Sequence, residues 1–272
     1  MNRKISDILF ATDMDGTLLN RKKKVSEENR KAIADFTADG GQFVITTGRA
    51  VPATEPYVHS LGIKAPCILY NGAAIYDFEK EKFLWTAALP HTARIYIKDI
   101  LDAFPEVGAE ILYDERIYVA RMNKHVSKHV DVEHLAYTVV ESDEVPDGWF
   151  KVLFVMDSAI QDQVWDYMMA KGWQDVNFIK SDAIYLEMMP LGVSKGDALL
   201  KLAELLDISP ENTVGIGDYN NDIELIEKSA LGFAMANAPE DVKAVADVVA
   251  VDCDESAIAW AIEYVREHLN TF

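Results

Sequence analysis

An alternation of short apolar runs with helix-like segments limits the possible folds of this chain more than any other feature of its sequence. Near the N-terminus, residues 8–12 are typical of a buried strand, residues 26–39 of a helix and residues 43–46 of a second strand. This order indicates a parallel sheet, because parallel neighbours must be joined by a crossover connection. The same alternation resumes after Gly192 and runs to a helix at about 255–268. Together the two segments predict one α/β core with a parallel sheet.

The middle of the chain has a different pattern of predicted secondary structure. From about Leu89 to about Pro190, helix-like stretches mix with strand-like runs without the regular alternation of the two ends. We therefore predict a core domain made of residues 1–88 and 190–272, and an inserted α+β domain made of residues 89–189.

Several side chains of the insert are candidates for ligand binding. The tryptophans at 149, 165 and 173 are expected to belong to its hydrophobic core. His125 and His129 lie four residues apart and near His134. A solvated helix face is the preferred interpretation of these histidines, because no carboxylate or cysteine ligand pattern accompanies them. Arg116 and Arg121 are hypothetical contacts for a second anionic group of a substrate.

The charge balance excludes several classes of partner. The net charge is −19, which repels nucleic-acid phosphates and anionic membrane surfaces outside any local basic pocket.

No stretch approaches the roughly 20 apolar residues of a membrane span, and the N-terminus does not resemble a signal peptide. Cys67 and Cys253 stand apart from any ligand-spaced cluster and are expected to be reduced thiols. We therefore expect a cytoplasmic protein without a nucleic-acid or membrane partner.

The segment after the first strand contains two aspartates, Asp13 and Asp15, followed by Gly16. Residues at i and i+2 of a strand point to the same side, so both carboxylates can face one space, and the glycine allows a sharp turn. Taken alone, the segment fits a solvated turn equally well. A calcium-binding loop fits less well, because Gly16 comes too early for that spacing.

Three further segments place polar residues at the ends of apolar runs or at the start of a helix. Thr47 and Gly48 follow the second strand, where Thr47 can bind a phosphate oxygen or cap a helix. The acidic loop at residues 217–222 follows another strand, and its acids can instead complement a helix dipole. Lys195 begins a helix, where the macrodipole disfavours a cation unless that cation neutralises an anion. We expect these segments to share a pocket, because ligands collect at the carboxyl edge of a parallel sheet.

Phosphoryl transfer would use such a set of residues. The reaction needs an in-line nucleophile, charge neutralisation on the equatorial oxygens and a proton donor for the leaving oxygen. Asp13 can attack as a carboxylate, and Asp15 can exchange the proton. Two anions do not approach closely without a countercharge, so a divalent cation held by Asp13 and Asp218 is expected, and Mg²⁺ suits oxygen ligands. Lys195 and the hydroxyl of Thr47 can bind the remaining phosphoryl oxygens.

These segments resemble, in order, the four motifs of the haloacid dehalogenase superfamily. The matching residues are Asp13-x-Asp15-Gly-Thr, Thr47-Gly-Arg, Lys195 within Gly-Val-Ser-Lys-Gly, and Gly217-Asp218-x-x-Asn221-Asp222. The long insertion, and Tyr70-Asn71-Gly72-Ala73 before it, resemble the Cof-like phosphatases, whose class IIB cap is an α+β domain. The resemblance covers nearly the whole chain and implies a Rossmann-like three-layer core with such a cap. At Leu191 relatives often carry a polar residue, and this difference is a hypothetical determinant of substrate preference.

The resemblance also implies a role for each matched residue. Asp13 would be the nucleophile and Asp15 the acid and base. Magnesium would be held by Asp13, the backbone carbonyl of Asp15 and Asp218, with Asp222 orienting the metal ligands. Phosphate would be bound by Thr47, Gly48, Lys195 and Asn221.

The sequence thus predicts a magnesium-dependent phosphatase that hydrolyses small phosphorylated metabolites, sugar phosphates or similar, through an aspartyl-phosphate intermediate. Two alternatives stay open. The first is a sugar phosphomutase of the same superfamily, which would require a bisphosphate and release no net phosphate. The second is a catalytically silent module that binds a phosphorylated ligand, although a silent protein has no need to keep every charged group of the motifs.

Overall fold

The computed structural model describes residues 3–132 and 136–272, so His134 lies outside the described residues. The chain forms two compact units. The core unit comprises Met1–Gly48, Glu55–Leu84 and Ser194–Phe272, and the inserted unit comprises Arg49–Thr54 and Trp85–Val193. Within the described part of the chain, no helix combines the length and the apolar character that a membrane crossing requires.

The secondary structure of the described residues alternates along the chain. In chain order the strands are β1 (Leu9–Thr12), β2 (Gln42–Ile45), β3 (Cys67–Leu69), β4 (Ala74–Asp77), β5 (Lys82–Thr86), β6 (Gly108–Tyr113), β7 (Arg116–Arg121), β8 (Tyr137–Val139), β9 (Lys151–Val155), β10 (Val176–Asp182), β11 (Tyr185–Pro190), β12 (Thr213–Gly217), β13 (Leu231–Ala234) and β14 (Val248–Val249). The α-helices are α1 (Glu27–Ala38), α2 (Val51–Leu61), α3 (Ala93–Ala103), α4 (Lys124–Val132), α5 (Ser158–Lys171), α6 (Lys195–Leu205), α7 (Ile223–Lys228), α8 (Glu240–Lys243) and α9 (Ala257–His268).

The main sheet of the core unit contains five strands in the order β14-β13-β12-β1-β2, and every neighbouring pair is parallel. All four residues of β1 are buried, because this strand lies between two others inside a parallel sheet. Thr12 lies opposite Ile45 on one side and Ile216 on the other. The three strands therefore end at one edge of the sheet, where the polar segments begin. The predicted parallel α/β core is confirmed.

Local signals set the starts of the core helices. The side chain of Ser26 precedes α1 and accepts a hydrogen bond from the backbone N–H of Asn29. Ser194 caps α6 in the same way, through the N–H of Asp197, which makes Lys195 the first residue of that helix. Helix α2 begins only at Val51, so the alternative in which Thr47 caps a helix is wrong.

A smaller sheet in the core unit has the strand order β3-β4-β5. Strands β4 and β5 are hydrogen-bonded neighbours in this sheet. A tight turn with a left-handed backbone, Tyr70–Gly72, connects β3 to β4.

The inserted unit is built on a separate six-stranded sheet with the order β10-β11-β9-β6-β7-β8. Its pairs are antiparallel except for β7 with β8, which is parallel. One face of the sheet and helices α3 and α5 enclose a hydrophobic core that contains Trp149, and Trp165 and Trp173 pack against this core as expected. The predicted α+β cap is confirmed as a mixed-sheet domain.

The opposite face of the same sheet carries buried polar groups that the sequence did not predict. Lys151 Nζ and Glu187 Oε2 lie 2.7 Å apart, with both side chains 4% exposed. Glu110 is fully buried, and its Oε1 is hydrogen-bonded to Nδ1 of His129 at 2.8 Å. The side chains of His125 and His129 are only 20% and 15% exposed, so the solvated helix face predicted for them is wrong.

Candidate active site

The polar segments at the sheet edge converge on the side chain of Lys195. Its ammonium nitrogen Nζ lies 2.6 Å from Oδ1 of Asp13 and 2.5 Å from Oδ1 of Asp222. The Lys195 side chain is 0% exposed, although it occupies the first position of helix α6. The lysine therefore neutralises anions at a helix start, as its unfavourable position in the helix dipole predicted.

Asp218 is held against the segment that follows β1. Its Oδ1 accepts a hydrogen bond from the Thr17 hydroxyl at 3.0 Å, and its Oδ2 accepts one from the Asn237 amide at 3.3 Å. The same amide donates to the carbonyl of Gly16 at 2.9 Å. Gly16 has φ of +85°, and a Cβ there would lie 2.3 Å from Oδ2 of Asp218. The glycine is thus required both by the turn and by the approach of this carboxylate.

Asp222 organises the acidic loop from within. Its Oδ2 accepts the backbone N–H groups of Asp218 at 2.9 Å and Tyr219 at 3.1 Å. Asp222 thereby caps the short 3-10 turn Asn220–Asp222, and it makes no side-chain hydrogen bond that caps α7. Because Oδ1 receives the Lys195 ammonium, both carboxylate oxygens are engaged by the protein. This arrangement suits an orienting role for Asp222.

The predicted phosphate-binding residues Thr47, Gly48 and Asn221 share one neighbour, Asn71. The Asn71 backbone N–H donates to the Thr47 carbonyl at 3.0 Å, and the Asn221 amide donates to Oδ1 of Asn71 at 3.0 Å. A Cβ at Gly48 would lie 2.9 Å from both amide atoms of the Asn71 side chain. The structure therefore brings these three residues together around a fourth side chain.

Asp15 lies in a more open environment than the other carboxylates. Its side chain is 35% exposed, and its Oδ1 lies 2.6 Å from Nζ of Lys23. Lys23 belongs to the turn that follows the Asp13–Thr17 segment and has a positive φ of 57°. A carboxyl group this exposed can exchange protons with water, as the role predicted for Asp15 requires.

Burial perturbs the charged groups of this cluster. Desolvation, together with the nearby carboxylate of Asp222, raises the pKa of Asp13 to about 7. Desolvation, together with the charge of Asp13, raises the pKa of Asp218 to about 8. Burial lowers the pKa of Lys195, but the adjacent carboxylates of Asp13 and Asp222 more than offset this and hold it above its usual range. Lys195 stays protonated, but its single positive charge does not balance the three carboxylates of Asp13, Asp218 and Asp222 when all of them are ionised.

This excess of negative charge and the donor types fit a divalent cation. One carboxylate oxygen from each of Asp13, Asp218 and Asp222 lies within 4.8 Å of the others. Oxygen ligands are what Mg²⁺ prefers in proteins. Asp13 and Asp218 would hold the ion with the backbone carbonyl of Asp15, while Asp222 remains engaged by Lys195 and by backbone N–H groups.

Without metal, the melting temperature is expected to fall as the pH rises from about 5 to about 8, and saturating Mg²⁺ is expected to remove most of that fall. The folded-state pKa values of about 7 for Asp13 and about 8 for Asp218 exceed the ordinary value of 3.8. The stability that their protonation contributes is therefore complete below the unfolded-state value, decreases as the pH rises towards the folded-state values, and is lost above them. Melting curves in EDTA and in Mg²⁺ measure this effect. A metal-free melting temperature that does not change with pH would contradict it.

The sequence profile of the haloacid dehalogenase-like hydrolase family matches residues 10–262 of this chain. The chain belongs to this family. A relative from Bacillus subtilis, 5-amino-6-(5-phospho-D-ribitylamino)uracil phosphatase YcsE, is 32% identical over 264 residues, which cover 94% of each chain. The expected enzyme class, a phosphatase of the haloacid dehalogenase superfamily, is thereby confirmed.

Solved structures agree with this assignment. A haloacid dehalogenase-like hydrolase from Bacteroides thetaiotaomicron superposes with a TM-score of 0.82 at 25% identity, covering 95% of this chain and 99% of the other. A subclass IIB sugar phosphatase of the same superfamily superposes with a TM-score of 0.83 over 95% of this chain and 99% of its own, and at 22% identity it shows the fold alone. The superfamily fold and the cap type that the motifs implied are confirmed.

Sequence reasoning assigned no role to three residues of this site. Asn237 joins Gly16 to Asp218, Asn71 joins Thr47 to Asn221, and Lys23 pairs with Asp15. Neutral amides outside the four motifs give no charge or spacing signal. Asn71 had only its place in the Tyr70–Ala73 segment as an indication.

Proposed function

We propose that this hydrolase is a magnesium-dependent phosphomonoesterase that cleaves small phosphorylated metabolites, sugar phosphates or similar compounds, in the cytoplasm. The observation that carries the proposal is the buried ammonium of Lys195 between Asp13 and Asp222, beside Asp218. A preorganised cation next to a carboxylate nucleophile lets an anionic phosphoryl group approach. The cytoplasmic location is supported by the two cysteines, which are buried as free thiols.

In the proposed first step, a carboxylate oxygen of Asp13 attacks phosphorus. The bond from Asp13 oxygen to phosphorus forms as the bond from phosphorus to the leaving oxygen breaks, and Asp15 gives that oxygen a proton. Lys195 and the hydroxyl of Thr47 bind the equatorial oxygens of the phosphoryl group. Bound Mg²⁺ would neutralise charge between the nucleophile and the phosphoryl group.

In the proposed second step, water attacks phosphorus of the aspartyl-phosphate. Asp15, now a carboxylate, takes the proton of this water, and inorganic phosphate leaves as Asp13 is regenerated. The open position of Asp15, with its side chain 35% exposed, supports its access to water in this step.

The substrate class is a phosphate ester of a sugar or polyol chain. The relative from Bacillus subtilis is named for a phosphorylated ribityl compound, and the subclass IIB enzyme with the same fold is a sugar phosphatase. Both names refer to a phosphate on a polyhydroxylated carbon chain, which supports the same class here.

A panel of sugar phosphates, polyol phosphates and nucleotides tests the proposal, with released inorganic phosphate measured in Mg²⁺ and in EDTA. Phosphate release that requires Mg²⁺ and is fastest with sugar or polyol phosphates is expected. Transfer that needs a bisphosphate and releases no net phosphate would instead identify a mutase. Saturable binding without turnover of any compound would identify a silent binding module.

A further inference from the structure

The turn between β3 and β4 has an unusual backbone. Tyr70, Asn71 and Gly72 have φ angles of +53°, +54° and +99°, three positive values in succession. Bulky residues such as tyrosine rarely adopt this region, whereas asparagine tolerates it and glycine adopts it freely. Strained conformations of this kind persist only where surrounding contacts impose them, and they concentrate at functional sites.

The contacts of this turn run to the residues expected to bind phosphate. Asn71 is 2% exposed, and its side chain accepts a hydrogen bond from the Asn221 amide at 3.0 Å and packs on Gly48. Its backbone N–H donates to the carbonyl of Thr47 at 3.0 Å. Asn71 thus connects the segment after β2 to the loop after β12.

The next residue reaches the third segment. A Cβ at Gly72 would lie 2.2 Å from the Ser194 carbonyl oxygen and 3.0 Å from the backbone nitrogen of Lys195. Only glycine permits the turn to approach the start of α6 this closely. One three-residue turn therefore touches all three segments that carry the expected phosphate-binding side chains.

We infer that Asn71 is a positioning residue for the phosphoryl group. Its side chain fixes the position of the Asn221 amide relative to Thr47 and Gly48. The left-handed backbone of the turn brings the Asn71 side chain to this position. The inference rests on the proposed function, because it assumes that a phosphoryl group binds among these residues. Without the side chain, the Asn221 amide and the Gly48 backbone lose a common partner, and the binding geometry loosens.

Asn71→Gly is the most informative variant, because glycine accepts the left-handed backbone while the side chain is removed. The kcat/KM for p-nitrophenyl phosphate in Mg²⁺ is expected to fall about tenfold to a hundredfold, mainly through KM. Inhibition by inorganic phosphate is expected to weaken by a similar factor. The melting temperature is expected to fall, because a buried side chain and its hydrogen bond with Asn221 are lost. A kcat/KM and a phosphate inhibition constant within twofold of wild type would overturn the inference.

Asp207→Gly is the matched control, since Asp207 also has a positive φ, of 56°, but is exposed just beyond the far end of α6. It makes the same backbone change and is expected to leave both constants unchanged. If Asn71→Gly unfolds, Asn71→Asp replaces it as a nearly isosteric variant that puts a negative charge beside Thr47 and Gly48. Unweakened phosphate inhibition in that variant would also overturn the inference.

A double-mutant cycle with Asn221→Ala separates positioning from general stability. If Asn71 acts through Asn221, the double variant is expected to lose little more kcat/KM than the worse single variant. Fully additive losses would refute the coupling. Calorimetric binding of inorganic phosphate tests Asn71 independently of turnover, so a wild-type enzyme that binds phosphate but hydrolyses nothing would refute the proposed function and leave this inference standing.

Discussion

Asp13→Asn is expected to lower phosphate release from p-nitrophenyl phosphate by about 10⁴-fold or more, because the amide cannot form the covalent intermediate. The variant is nevertheless expected to fold. Burial and the carboxylate of Asp222 raise the pKa of Asp13 to about 7, so its negative charge is unfavourable in the metal-free protein at higher pH. A neutral side chain of the same shape should leave the melting temperature in EDTA unchanged or higher. A variant that loses activity but not stability shows that the substituted residue serves catalysis rather than folding.

The control for this prediction is Asp35→Asn. Asp35 lies on α1 with its side chain 61% exposed, and among the residues that the structure describes its carboxylate pairs only with Lys31, at i,i+4 and 3.4 Å. An exposed pair of this kind contributes little to stability, and no role in catalysis is assigned to it. Rates and melting curves of both variants are measured in Mg²⁺ and in EDTA. Near-normal turnover by the Asp13 variant would remove the nucleophile from the mechanism.

Lys195→Met is expected to have the second-largest effect, on both activity and stability. The substitution removes the ammonium that lies 2.6 Å from Asp13 and 2.5 Å from Asp222, and leaves buried carboxylates facing each other. Removing one partner of a buried ion pair costs about 3–5 kcal/mol, and losing a preorganised charge at the phosphoryl group costs about 10²–10³ in rate. The destabilisation is expected to grow with pH, because protonation relieves the carboxylates at lower pH.

Lys201→Met on the same helix is the matched control. Its ammonium pairs with Glu204 at 2.8 Å, and the two side chains are 35% and 70% exposed, so the expected change in unfolding free energy is below about 1 kcal/mol. Urea unfolding of both variants at about pH 6 and about pH 8 in EDTA provides the comparison. Equal effects at positions 195 and 201 would contradict the role given to the buried ammonium.

The parallel core could be predicted from the sequence because its strands are apolar on both faces. Strands β1 and β12 are buried along their whole length, and each is followed at once by polar residues. The same contrast located Asp13 and Asp218 at the sheet edge. Lys195 could be predicted because a cation at a helix start is unfavourable unless an anion faces it.

The inserted unit was harder to predict, since its sheet mixes buried charge with exposed strands. In β6 the fully buried Glu110 interrupts an apolar run, and β8 is exposed along its whole length. A prediction from the hydrophobic pattern assigns a buried charged residue to the surface and an exposed edge strand to a loop. The partners that make such burial possible, such as Glu187 for Lys151, come from another strand of the fold.

Neutral side chains of the site escaped prediction for a related reason. Asn237 contacts Gly16 across 221 positions of sequence, and Asn71 contacts Asn221, which was predicted, across 150. An amide carries no charge whose position in a helix or strand would be unfavourable, and single asparagines have no sequence spacing that indicates a ligand site. Only the tertiary contacts, and for Asn71 the left-handed backbone, reveal that these residues hold the site together.

The most direct test of the account is to trap the phosphoryl group on the protein. Enzyme mixed with excess p-nitrophenyl phosphate and Mg²⁺ is quenched in acid within one turnover, digested at low pH and analysed by mass spectrometry. The account predicts one added phosphoryl group on the peptide that contains Asp13, absent from the Asp13→Asn variant. A phosphoryl group found only on another residue of an active enzyme would contradict the central claim.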